Sequence, residues 1–162
     1  MNIVVDKIKN KDIKEAERFC SGIFNELGWN KNFFYGFENL KDFFSGEREI
    51  FFLAKDKEKI AACAGLKELS EKEGLLKRFY VAKDFRGSGL AEKMIEKIKN
   101  FASRKNYKII VLDVFLSNKR AQKFFEKQGF EVFSPFPLKS WKESQHPDEF
   151  QFRKLNIENQ KP

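Results

Sequence analysis

The chain has 162 residues, 41% of them hydrophobic and 35% charged, with a formal net charge of +8. That length suits one domain over residues 1–162 with a core of its own, and the composition excludes both a disordered chain and a membrane span. The positive charge raises a nucleic-acid reading, but carboxylates alternate with the lysines, as in Lys55-Asp56-Lys57-Glu58-Lys59, which is the pattern of a solvated surface and argues against a binding stripe.

Asn2-Ile3-Val4-Val5 reads as a short strand, and the stretch from Met1 to Lys11 alternates valine with lysine instead of forming a secretory leader. Cys20 and Cys63 lie far apart in a chain without secretory features, so reduced thiols and a cytoplasmic location are expected. Asp12-x-x-Glu15 has capping-box spacing. Ile13, Ala16, Phe19, Cys20, Ile23, Phe24 and Leu27 follow at helical spacing until Gly28 stops the helix. An aromatic connector from Trp29 to Tyr35 leads to a second helix near Glu38 to Phe44. Ile50 to Lys55 and Lys59 to Leu69 read as a hairpin that turns at Asp56-Lys57-Glu58.

The most informative stretch is Leu75 to Ala91, LLKRFYVAKDFRGSGLA. It opens as a strand carrying Phe79 and Val81, turns through Asp84 to Gly89, and enters a helix that runs to about Lys105. Gly87 and Gly89 allow a ligand close to the backbone, and the first amides of the helix are left unpaired. Those donors and the helix dipole suit a phosphate or diphosphate. Leu90 and Ala91 stand where a nucleotide-triphosphatase loop has its lysine and hydroxyl residue, and a third glycine at the dinucleotide spacing is missing. Both of those motifs are excluded.

Further on, Leu90, Met94, Ile95, Ile98, Phe101 and Ala102 form an apolar core stripe, and Lys108 to Phe115 is a buried strand. Ser117 or Asn118 can cap the next helix, with Ala121, Phe124 and Phe125 facing inward until Gly129. Phe130 to Phe133 and Glu149 to Leu155 are the last strands, and His146 beside Pro147 is a surface histidine. Strands interleaved with helices make a mixed α/β sheet.

Arg86-Gly87-Ser88-Gly89-Leu90-Ala91 matches R-x-x-G-x-G/A and resembles the acyl-coenzyme A loop of the GNAT superfamily of N-acetyltransferases. A second block, Asn118-Lys119-Arg120-Ala121 followed by Phe124-Phe125-Glu126-Lys127-Gln128-Gly129-Phe130, is similar to the family's N-x-x-A…Y-x-k-x-G-F. Together they cover roughly residues 73 to 134. The resemblance implies a central mixed, mostly antiparallel sheet of about six to seven strands flanked by helices. It implies acetyl transfer from acetyl-coenzyme A to a primary amine of a small molecule or peptide, by direct attack in a ternary complex and without a metal. The amides of Arg86, Gly87, Ser88, Gly89, Leu90 and Ala91 would hold the diphosphate, with Asn118 in the same site. Backbone groups of Phe79 and Val81 would pair with the pantetheine arm where their strand splays from the one beginning near Lys108. A main-chain N–H there would also stabilise the oxyanion.

Two departures from the family pattern bear on catalysis. The tyrosine that commonly protonates the leaving thiolate is replaced by Phe125, and Leu75 stands where many relatives have a glutamate. Glu73, two positions further back on the same strand face, is the candidate general base, although Glu71 and Glu73 also read as charges at the start of a strand. Tyr80 and Tyr35 are the phenols available in place of the missing tyrosine. Two other functions stay open: an acyl-coenzyme A binding module without turnover, and a basic partner of nucleic acid or ribosome. The expected partners are an amine acceptor and no membrane, for a monomer or a homodimer.

Overall fold

Ile3–Lys7 (β1) half-buries Ile3 and Val5 and exposes the residues between and after them, as suits a strand with one wet face at the edge of a sheet. Its single neighbour is Ile50–Asp56 (β2), whose first five residues are all buried. In this computed structural model, which describes residues 2–28 and 39–158, the remaining strands are Lys59–Glu68 (β3), Glu73–Val81 (β4), Ile109–Phe115 (β5), Glu131–Phe133 (β6) and Phe150–Asn156 (β7). The helices are Ile13–Leu27 (α1), Leu40–Phe43 (α2), Leu90–Arg104 (α3) and Lys119–Lys127 (α4). The seven strands form one sheet in the order β1-β2-β3-β4-β5-β7-β6. Every pairing is antiparallel except β4 with β5, which α3 connects as a crossover. The expected mixed, mostly antiparallel sheet flanked by helices is therefore what the chain forms.

The sheet separates two apolar layers. On one face the stripe Leu90, Met94, Ile95, Ile98, Phe101 and Ala102 of α3 packs with Leu76, Leu112, Val114, Phe125 and Phe130. On the other face α1 and α2 cover β2 and β3, and Trp141 covers Leu75 and Val111. Among the described residues no helix is long and apolar enough to cross a membrane.

Several local readings change. Asp12 does not cap α1 with its side chain: it is buried and takes an ion pair from Lys55 Nζ at 3.0 Å. The competing cation is the reason the capping box fails. Gln122 joins Phe125 as a buried residue of α4, while Ala121 and Phe124 are half-buried, and the Gln122 amide nitrogen donates to the carbonyls of Phe115 and Leu116. Burial there satisfies two carbonyls at the end of β5. Cys20 and Cys63 are free thiols, their sulfurs 3.9 Å apart between α1 and β3. The aromatic connector Trp29 to Tyr35 lies outside the described residues.

Candidate active site

The site begins with a fault in β4. Cys63 pairs with Tyr80 and Gly65 with Lys77, so Arg78 and Phe79 together oppose the single residue Ala64. Arg78 takes φ +57° to fit the extra residue, and its carbonyl accepts a bond from the Cys63 thiol at 3.1 Å. A bulge of this kind bends its strand. Beyond it β4 leaves β5: the parallel pairs run from Glu73–Ile109 to Leu76–Leu112 and stop. Between the parted strands lies a cavity of about 70 Å³, lined by Lys77, Phe79, Asp113, Asn118 and Phe125 among others.

On the face of α4 the opening continues into a groove of about 270 Å³. Phe79, Val81, Arg86, Gly87, Gly89, Ala91 and Asn118 all line that groove, with Ile23 and Leu27 of α1 along its side. Most of the coenzyme-binding residues expected from sequence are thus brought together. Ser88 and Leu90 are not in the lining: Leu90 is buried in the core and the Ser88 hydroxyl donates to the Phe85 carbonyl. Gly87 and Gly89 have φ of +76° and +88°, and a Cβ on either would meet nothing within 4 Å. Their backbone conformation therefore requires glycine, while the space beside them is left clear. Gly89 caps α3 without a side chain, so no side-chain acceptor covers the first amides of the helix.

Asn118 caps α4 through its Oδ1, which accepts from the Ala121 amide at 3.2 Å. Arg86 turns toward the protein: its Nε donates to the Val81 carbonyl and its terminal nitrogens reach Glu26 of α1. The Arg86 hydrogen bond holds the Glu26 carboxyl below its usual range. Phe125 is buried, with ring centroids of Phe79, Phe124 and Phe130 at 5.6, 5.3 and 5.6 Å. Tyr80 packs edge-on against Phe24 of α1, and burial pushes its phenol well above the ordinary value, which makes it a poor proton donor. Glu73 sits at the opposite end of β4, in the part paired with β5, where its carboxylate accepts from the Ser70 hydroxyl at 2.9 Å. Six residues of strand, roughly 20 Å, separate it from Phe79.

One group of side chains escaped the sequence reading. Lys77 Nζ lies 3.1 Å from Asp113 Oδ2 and 2.8 Å from Glu143 Oε2, and Trp141 Nε1 donates to the same Asp113 oxygen at 2.7 Å. The group occupies the sheet face opposite α4. Burial, reinforced by the Asp113 charge and opposed by Lys77, raises the Glu143 carboxyl above its usual value. A lysine inside the apolar run of β4 and an acid inside Ile109–Phe115 were the available signals, since charges in such strands need partners.

The model of the acetyltransferase (GNAT) family matches residues 14–130 of the chain. No curated protein matches it by sequence. Among solved structures, a GNAT-family acetyltransferase from Staphylococcus aureus Mu50 superposes with a TM-score of 0.82 at 21% identity, covering 97% of this chain and 100% of that one. The PaiA N-acetyltransferase of Thermoplasma acidophilum, solved in complex with coenzyme A, gives 0.74 at 15% identity over 96% and 99% of the two chains. The ribosomal-protein-S18-alanine N-acetyltransferase of Escherichia coli gives 0.70 at 18% identity over 96% and 94%. Such low identities establish a shared fold, and the sequence model extends over most of the chain, including the bulged strand, the glycine loop and α4. On that match the chain belongs to the GNAT family of acetyltransferases.

Proposed function

We propose that the protein transfers the acetyl group of acetyl-coenzyme A to a primary amine of a small molecule or peptide, by direct attack while both are bound. The observation that carries this reading is the continuity of the opening between β4 and β5 with the groove under the glycine loop. The loop amides would bind the diphosphate and the freed backbone edge of β4 the pantetheine arm. That edge also offers main-chain N–H groups to the carbonyl oxygen as negative charge develops on it. An alkylamine has a pKa near ~10.4 and must lose a proton before it attacks. The nitrogen then bonds to the carbonyl carbon, the C–S bond breaks, and the thiol leaves as thiolate.

Phe125 favours a second reading, a domain that holds coenzyme A and turns it over slowly or not at all. A thiol of pKa about 8.5 leaves tolerably without an acid, so the deficit is roughly 10²–10⁴-fold at most. Calorimetric titration with acetyl-coenzyme A tests the binding half: Gly89→Trp, which fills the groove, abolishes affinity if the reading is right. Steady release of free thiol with a panel of primary amines, corrected for hydrolysis, separates the enzyme from the binding module.

A further inference from the structure

The opening between β4 and β5 has two walls of different chemistry. Toward α4 it is aromatic, lined by Phe79 and Phe125. On the other face Lys77 and Asp113 line it, their side chains only 6% and 8% exposed, with Glu143 directly behind the lysine. Nothing about packing requires charge here, because the neighbouring positions on the same face, Leu75 and Val111, are apolar and buried against Trp141. Removing a charge from water is costly unless it is well paired. Two carboxylates, Asp113 and Glu143, here share one ammonium, and the Arg78 guanidinium lines the same cavity.

If the protein is an acetyltransferase as proposed above, the acetyl group would sit in this opening and the amine would attack it beside the charged wall. We propose that Asp113 takes the proton of the attacking amine, with Lys77, Trp141 and Glu143 as the groups that position it. Trp141 Nε1 and Lys77 Nζ both bond Oδ2, which fixes the carboxylate at the cavity wall. Protons balance as follows. The ammonium gives one proton to Asp113, which returns it to solvent. Attack forms the C–N bond and breaks the C–S bond, the nitrogen then loses its second proton, and the departing thiolate gains one. The charged or titratable groups facing Asp113 are Lys77, Arg78 and Tyr80 from β4 and Glu143 from the 142–145 turn, while β7 contributes the uncharged Phe150 and Phe152.

The test compares two acceptors with acetyl-coenzyme A: the alkylamine that the native chain acetylates fastest in a primary-amine panel, and the alkoxyamine of the same skeleton, which is already unprotonated at neutral pH. Asp113→Asn is expected to lower kcat/KM for the alkylamine by roughly 10²-fold more than for the alkoxyamine at pH 7, with the difference shrinking as pH rises. Glu143→Gln removes a like charge and keeps the fold's shape. It should move the acid limb of the alkylamine profile to lower pH by about one unit, a shift that a merely structural role would not produce. Equal losses on both acceptors, or an unmoved acid limb in Glu143→Gln, overturn the proposal while the transferase reading stands. A native chain that acetylates no amine of the panel ends that reading before any variant is made, and this assignment with it.

Discussion

Arg86 holds Glu26 with both ends of its guanidinium, Nη1 on Oε2 at 2.7 Å and Nη2 on Oε1 at 3.2 Å. The pair joins the last turn of α1 to the glycine loop, while Nε of the same arginine anchors the end of β4 through the Val81 carbonyl. One side chain thereby sets the mutual position of three walls of the groove.

Glu26→Gln should cost at most about 1 kcal/mol at neutral pH, because the pair is partly exposed and screened. Its folded pKa is depressed, so its stabilisation is present above the ordinary carboxyl value and is lost as pH falls through the folded value. Melting temperatures of the native chain and Glu26→Gln should therefore converge on acidification, and also on adding salt. A gap indifferent to both would mean that the pair contributes no electrostatic stabilisation.

Two glycines resist substitution for different reasons. At Gly65 a Cβ would lie 2.4 Å from the Phe44 ring, whereas at Gly89 it would meet nothing, but the backbone is left-handed. Each alanine variant is expected to lose about 1–3 kcal/mol. The Gly65→Ala loss should shrink in a Phe44→Leu background and the Gly89→Ala loss should not, which a double-mutant cycle in denaturant measures directly.

Glu73→Gln is expected to keep the native pH–rate profile within about two-fold, since the carboxylate sits at the closed end of the β4–β5 pairing and serves the turn at Ser70. A selective loss of turnover near neutral pH in this variant would return the proton-accepting role to Glu73.

Phe125→Tyr places a hydroxyl on a ring that borders both the opening and the groove. Turnover should rise, by up to roughly 10²-fold, with acceptors whose attack is fast enough to leave thiolate departure limiting. The ring is closely packed, so a stability loss of about 1–3 kcal/mol should accompany it. Unchanged turnover in a variant that still melts near the native temperature would indicate that the thiolate leaves unaided.

The groove was legible in the sequence because its parts are local: Arg86 to Ala91 and Asn118 to Gly129 each carry their geometry in short spacings. The charged group was not, because Lys77, Asp113 and Glu143 come from three separate segments and meet only through the sheet. Glu73 illustrates the limit of strand parity. Alternation puts it on the same face as Lys77, but says nothing about where along β4 the strand parts from its neighbour. Asp12 shows the same limit for a helix signal, since capping spacing cannot foresee Lys55 arriving from a different strand.

The end of the parallel ladder at Leu76 and Leu112 has a mechanical side. The β1–β4 and β5–β7 ladders are stapled along only four residue pairs, so the sheet carries a perforation through its middle. A chain warmed or pulled should tear there first, with amides near Phe79 and Val81 exchanging with solvent before those of β2 and β3. Any molecule that bridges the two ladders acts as a splint, and its binding should be readable as a delay of that tear alone.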